Sequence, residues 1–138
     1  MSRFEVKSRR TVIDKKGNDK TITETFLVEN AVSFGDAEQQ VETYWNCENE
    51  IIAVALSKVE EVINYPAQEE KQELSVFKAV LVAIFTDDDG NEKETKYPVI
   101  VWAKDVENAM RIVQEYLRQG YDNMTLTSIN KTKIVEVI

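Results

Sequence analysis

The most apolar stretch of the chain, Leu74–Trp102, consists of two strand-like runs, LSVFKAVLVAIF and PVIVW, joined by a polar turn around Asp89 and Gly90. A fainter copy of it opens the sequence. From Phe4 to Ile13 apolar and polar residues alternate, so Phe4, Val6 and Val12 share one face of a strand. Arg3, Glu5, Lys7, Arg9 and Thr11 fall on the other face, toward solvent. DKKGND is then a glycine-containing turn, and the Thr- and β-branched-rich run Thr21–Val28 returns as a second strand.

Each strand pair leads into a helix. Ser33 reads as an N-cap with Asp36 three positions on, where a negative charge meets the positive helix end. Phe34, Ala37, Val41, Tyr44 and Trp45 form its expected buried stripe, and Asp105 caps a second helix with Val106, Ala109, Met110, Val113, Tyr116 and Leu117 in that role. Gly120 stands where a glycine stop belongs. Ile51–Ile63 is strand-like again, as are MTLTSI and IVEVI at the other end of the chain.

The halves superpose at an offset of 73 residues and later 72: Phe4 meets Phe77, Gly17 meets Gly90, Ser33 meets Asp105, and Tyr44 meets Tyr116. Further on, Ile52 meets Met124 and Val62 meets Ile134 on this alignment. The expectation is an α+β fold of two ββαβ repeats, with helices packed on antiparallel sheet. It is read as a single domain over 1–138, pseudo-duplicated as 1–64 and 74–138, with a short acidic linker at 65–73. Val80–Phe85 is apolar on both faces, which places that strand at the centre of its sheet or under another subunit. The centre is preferred, because the helix stripes need a sheet to cover.

One cysteine, Cys47, allows no internal disulfide, and neither a long apolar span nor the apolar core of a signal peptide stands in the sequence. A soluble, cytoplasmic protein is expected. The net charge of −8 is unevenly spread: residues 1–20 hold seven cations against three carboxylates, so the remainder is strongly acidic.

Few residues suggest chemistry. The acidic turn Asp87–Glu92 lacks the alternate-position oxygen ligands of a calcium loop, and its counterpart Asp14–Asp19 replaces two acids by Lys15 and Lys16. A hairpin turn is the better reading, and no metal or cofactor is expected. With no histidine in the chain, Cys47 has no obvious base and reads as a partly buried filler. No enzyme is expected. The basic strand remains: Arg3, Lys7 and Arg9, with Arg10 beside them, are spaced to follow a phosphate backbone, with Trp45, Tyr65, Tyr97 and Trp102 as candidate stacking platforms. Against this stands an ordinary structural account, in which Phe4, Phe26, Trp45 and Trp102 are core and the basic face pairs with acids of the same or a neighbouring molecule.

FEVK near the start, TFLV at Thr25–Val28, AVSFGDAE entering the first helix, FKAV at Phe77–Val80 and the closing IVEV together resemble one family over nearly the whole chain. It is the uncharacterised family numbered forty-four ninety-four among the domains of unknown function. The chain departs from its pattern in lacking a tryptophan before the Phe77 strand and in a longer acidic linker at Gln68–Glu73. The resemblance implies provenance, a Bacteroidetes or phage protein of the cytoplasm, and carries over no catalytic residue. The function expected is a small binding protein. Its partner is single-stranded nucleic acid along Arg3–Arg10, or another protein met through the acidic surface or the apolar second hairpin, a further copy of the chain included; a membrane is not among the expected partners.

Overall fold

The computed structural model describes residues 2–45, 48–120 and 123–138. The elements run β1 (Ser2–Ile13), β2 (Asp19–Ala31), α1 (Phe34–Tyr44), β3 (Glu50–Leu56) and β4 (Glu61–Val62). A short 3-10 turn at Lys71–Glu73 follows, then β5 (Ser75–Thr86), β6 (Glu92–Ala103), α2 (Val106–Arg118), β7 (Met124–Lys131) and β8 (Ile134–Val137). The class is α+β, with two four-stranded sheets ordered β3-β1-β2-β8 and β4-β6-β5-β7. β5 is an inner strand of its sheet, and so is β1.

The sheets are mixed and not wholly antiparallel. β8 lies parallel to β2, and β4 parallel to β6, while every other pairing is antiparallel. The reason lies in the connectivity. No hairpin joins β8 to β2 or β4 to β6, and a parallel pair needs a long connection of this kind. Each repeat contributes its closing strand to the sheet of the other. The chain therefore forms two compact units, Met1–Lys58 with Lys133–Ile138, and Val59–Thr132.

Backbone register explains the drift in offset between the repeats. In the first unit Phe4 faces Val28 but Ser2 faces Ala31, so β2 carries one residue more than its partner at that point. The second unit pairs Ser75 through Thr86 without a break. This β-bulge is the residue by which the offset falls from 73 to 72. A second bulge recurs in both units: Ile52 is passed over between the Lys7–Ala53 and Ser8–Ile51 pairs, and Thr127 between Val80–Ser128 and Leu81–Leu126. Ile52 is thus equivalent to Thr127, not to Met124, and the offset there is 75. By the same register Val62 is equivalent to Val137 and not to Ile134, since both follow a glutamate paired beside β6 or β2. The second repeat holds three more residues between its helix tyrosine and the bulge, and α2 runs two residues beyond the point where α1 stops. Aligned so, the two Glu-Val-Ile triplets at 61–63 and 136–138 coincide.

Each helix packs on its own repeat's hairpin. Ser33 Oγ accepts the Asp36 amide at 3.1 Å, and Asp105 Oδ1 accepts the Asn108 amide at 2.7 Å, as N-caps do. The Asp36 and Asn108 side chains reach back to the Val32 and Lys104 amides. The buried rows are narrower than the sequence pattern suggests: Ala37 and Val41 in α1, and Ala109, Val113 and Leu117 in α2. Phe34, Tyr44, Val106 and Met110 are exposed. A helix lying on a flat sheet touches it along one i, i+4, i+8 row, with alanine at the closest approach. Phe34 instead sets its ring edge-on to Phe4 at 5.0 Å. Phe4, Val6, Phe26, Val28 and Ala31 complete the first core. Phe77, Ala79, Leu81, Val99, Val101 and Ala103 complete the second.

Candidate functional site

In both units the central hairpin outruns the strands beside it. β3 accompanies β1 only as far as the Arg9–Glu50 pair, and β8 meets β2 only between Thr25 and Leu27. Residues 10–24 therefore project as a two-stranded ribbon, arm 1. In the second unit β7 leaves β5 at Ala83, β4 pairs with β6 at Val99 and Ile100, and the Glu60 amide donates to the Pro98 carbonyl, so residues 84–97 project likewise as arm 2. Beyond those points, among the described residues, the outer edges of the ribbons pair with no further strand. Such edges are where an incoming chain adds hydrogen bonds.

The two arms end in the same turn. Asp14 Oδ1 accepts the amides of Lys16 and Asn18, both at 2.9 Å, and Asp87 Oδ1 accepts those of Asp89 at 3.0 Å and Asn91 at 2.9 Å. Gly17 and Gly90 sit at φ +80° and +82°, a left-handed conformation that glycine adopts without Cβ strain. Asp87 is thus bound into its own turn, which makes the acidic run a hairpin loop. Among the described residues no three metal-ligating side chains cluster.

At equivalent positions of the two arms several exposed side chains differ in charge. Lys15 and Lys16 of arm 1 stand where Asp88 and Asp89 stand on arm 2, and Thr21 where Glu94 stands; all are exposed. Residues 10–24 of arm 1 carry four cations against three carboxylates, and residues 84–97 of arm 2 five carboxylates against two lysines. Apolar exposure differs as well. Thr11 and Val12 correspond to Ile84 and Phe85, which are 57% and 49% exposed on the two faces of arm 2. Ile13 is the exposed apolar residue of arm 1.

The residues expected to bind phosphate divide between the two faces of β1. Arg3, Lys7 and Arg9 share the face away from α1, Arg3 half-buried and the other two exposed, with Thr25 and Thr23 across from Lys7 and Arg9. Arg9 makes a 2.6 Å ion pair with Glu50, both partners well exposed. Arg10 lies on the opposite face, beside α1. Its Nε meets Glu24 Oε1 at 2.7 Å, and its guanidinium lies 3.9 Å from the centre of the Trp45 ring. Side chains at 21% and 16% exposure are partly shielded from solvent, so this pair is held more firmly than Arg9–Glu50. An open hollow of about 630 Å³ at the root of arm 1 is bordered by Arg9, Arg10, Thr11, Thr21, Asn49 and Glu50.

Of the four proposed stacking aromatics only Trp45 belongs to the unit that holds Lys7, and it lies on the other face of β1. Trp45 packs against Phe26 and Tyr44 under Arg10. Trp102 is buried, Tyr97 directs its hydroxyl to Glu61, and Tyr65, though exposed, belongs to the second unit. Cys47 falls outside the described residues.

Sequence reasoning passed over a tyrosine–glutamate bond that both units repeat. Tyr44 of α1 donates its hydroxyl to Glu136 of β8 at 3.2 Å, and Tyr116 of α2 donates to Glu61 of β4. In each case the helix of one repeat fastens the strand contributed by the other. Burial, and next the Glu136 carboxylate, push the Tyr44 hydroxyl above its ordinary pKa of 10.0. The matching Glu-Val-Ile triplets were the signal that would have found it.

The chain belongs to the family described as a domain of unknown function, DUF4494, whose model matches residues 3–138. No curated protein matches it. No helix among the described residues is long and apolar enough to cross a membrane.

Proposed function

We propose that this DUF4494 member is a protein-binding module whose contact element is arm 2. The observation that carries the reading is the exposure of Ile84 and Phe85 on adjacent positions, and hence opposite faces, of a ribbon that no further strand flanks among the described residues. In arm 1 Ile84 is replaced by Thr11, so the fold does not require an apolar side chain at that position, and Phe85 is replaced by the smaller, half-buried Val12. Large exposed apolar groups flanked by charge mark contact surfaces, and a free strand edge adds backbone hydrogen bonds to them. Binding rather than catalysis is the activity assigned, in the cytoplasm of a bacterium or of a phage-infected host.

The test is site-specific photo-crosslinking from position 85 in cells that naturally make the chain. A discrete adduct with one protein, lost when Ile84 is replaced by Asp, is the expected result. The same diffuse background as from a crosslinker at Thr43 would overturn the reading.

A second reading is favoured by the shared face of Arg3, Lys7 and Arg9 with threonines across the strand: a single strand of nucleic acid held by its phosphates. Anisotropy of a labelled oligonucleotide should then rise at low salt and fall steeply with added salt, with loss of binding in Lys7→Glu, Arg9→Glu. No rise at low salt removes this reading. Arg10, tied to Glu24 and Trp45, takes no part in it.

A further inference from the structure

We infer that the partner of arm 2 is arm 1 of a second copy of the same chain. The inference rests on the protein-binding reading above and adds the identity of the occupant. Its ground is the complementarity of the two arms. Both are hairpin ribbons of nearly equal length with the same Asp-anchored turn, their glycines at nearly equal φ. Yet Lys15 and Lys16 of one are Asp88 and Asp89 of the other, and the arms carry opposite net charge. Each also exposes apolar side chains near its tip, Ile13 on arm 1 and Ile84 with Phe85 on arm 2.

Two equal arms of like charge would repel, whereas a basic arm laid along an acidic one joins apolar contact to charge pairing. Among the described residues no further strand flanks either ribbon beyond its sheet, and such edges can add a strand. Each copy offers one arm of each sign, so arm 1 of one copy can take arm 2 of another. The charges that would engage, Lys15, Lys16, Asp88, Asp89, Glu92 and Glu94, are all exposed. Asp14 and Asp87, committed to their turns, are not needed.

The complementarity supplies its own test by sedimentation velocity on the purified full chain. The unaltered protein should associate in a concentration-dependent way at low salt, and roughly tenfold more weakly when ionic strength rises from about 0.05 to about 0.5 M. The double variant Lys15→Asp, Lys16→Asp has two acidic arms, and Asp88→Lys, Asp89→Lys has two basic ones. Each alone should sediment as a monomer with unchanged circular dichroism, because the four positions are exposed turn residues. Mixed in equal amounts, the two variants should associate again. A wild type that stays monomeric at high concentration and low salt overturns the inference, as does association by either variant alone, or a mixture that fails to assemble. If the wild type is monomeric but position 85 still crosslinks to a different protein, the self-association falls while the binding role of arm 2 stands. If neither is seen, both fall.

Discussion

The two units were built from one plan, and they differ where the plan did not constrain them. They agree in strand order, in the bulge at Ile52 and Thr127, in the Asp-anchored turn and in the tyrosine–glutamate bond to the exchanged strand. They differ in the charge of the arms and in the exposed face of the first strand, where Lys7 and Arg9 correspond to Val80 and Val82. The duplication acts as a comparison of two related sequences inside one molecule. What both units keep is what the fold needs, and what only one unit has is available for function.

The comparison can be broken most forcefully in the cores. Phe26 and Val99 occupy equivalent, fully buried positions. Phe26→Ala should cost about 3–5 kcal/mol of unfolding free energy, since it leaves a cavity under Tyr44 and Trp45. Val99→Ala should cost about 1.5–2 kcal/mol, the transfer energy of two methyl-sized groups. Denaturant titration of both variants checks the ratio, and equal losses would show that the cores are not equivalent.

The closing strands provide a subtler contrast. In the first unit the Ile138 amide donates to Leu27 and its carbonyl accepts from Glu29, both at 2.8 Å. In the second unit Ile63 donates to Ile100 in the same manner, but the Asn64 side chain takes over the next step. It accepts the Trp102 amide and donates to the Trp102 carbonyl, both at 2.8 Å. Asn64→Ala should leave two partly buried backbone groups unpaired and cost about 1–3 kcal/mol. Faster hydrogen exchange at the Trp102 amide would locate the loss.

The turns should respond alike. Gly17→Ala and Gly90→Ala each place a Cβ in the left-handed region with open space around it, so each should cost about 1 kcal/mol. A difference of more than about half that, by thermal denaturation, would mean that one arm is supported by something the other lacks.

The smallest effect is one of pH. The Tyr44 pKa is raised in the folded state, so its contribution to stability is complete below pH 10.0 and declines as pH rises through the folded value above that. Urea midpoints between about pH 8 and 11 should therefore fall more for the wild type than for Tyr44→Phe. Parallel curves would show that neither burial nor Glu136 holds the proton on the hydroxyl.

How much of this was legible follows from how local each feature is. The caps at Ser33 and Asp105, the turns around Gly17 and Gly90 and the alternation of β1 depend on neighbours within a few residues, and they are where the sequence places them. The same alternation puts Arg10 on the Phe4 and Val6 face, apart from Lys7. Its pairing with Glu24 needed the hairpin register, which the turn at Asp14–Asn18 sets. The exchange of closing strands was not legible. β4 and β8 are short, and an apolar triplet fits either sheet equally well by pattern. Nor did helical periodicity show that Phe34, Val106 and Met110 would face outward, because it marks a stripe and not its width.

The exchange also sets an order of events during synthesis. Strands β4 to β7 leave the ribosome as one uninterrupted stretch, so the second sheet has all its strands once β7 is out. The first sheet was begun earlier but must wait for β8, more than a hundred residues after β2. Until then the edge of β2 that will hold β8 stays open to solvent, and Tyr44 has no Glu136 to hold. The repeat translated first is thus the one completed last, and the nascent chain carries an unsatisfied strand edge through most of its elongation.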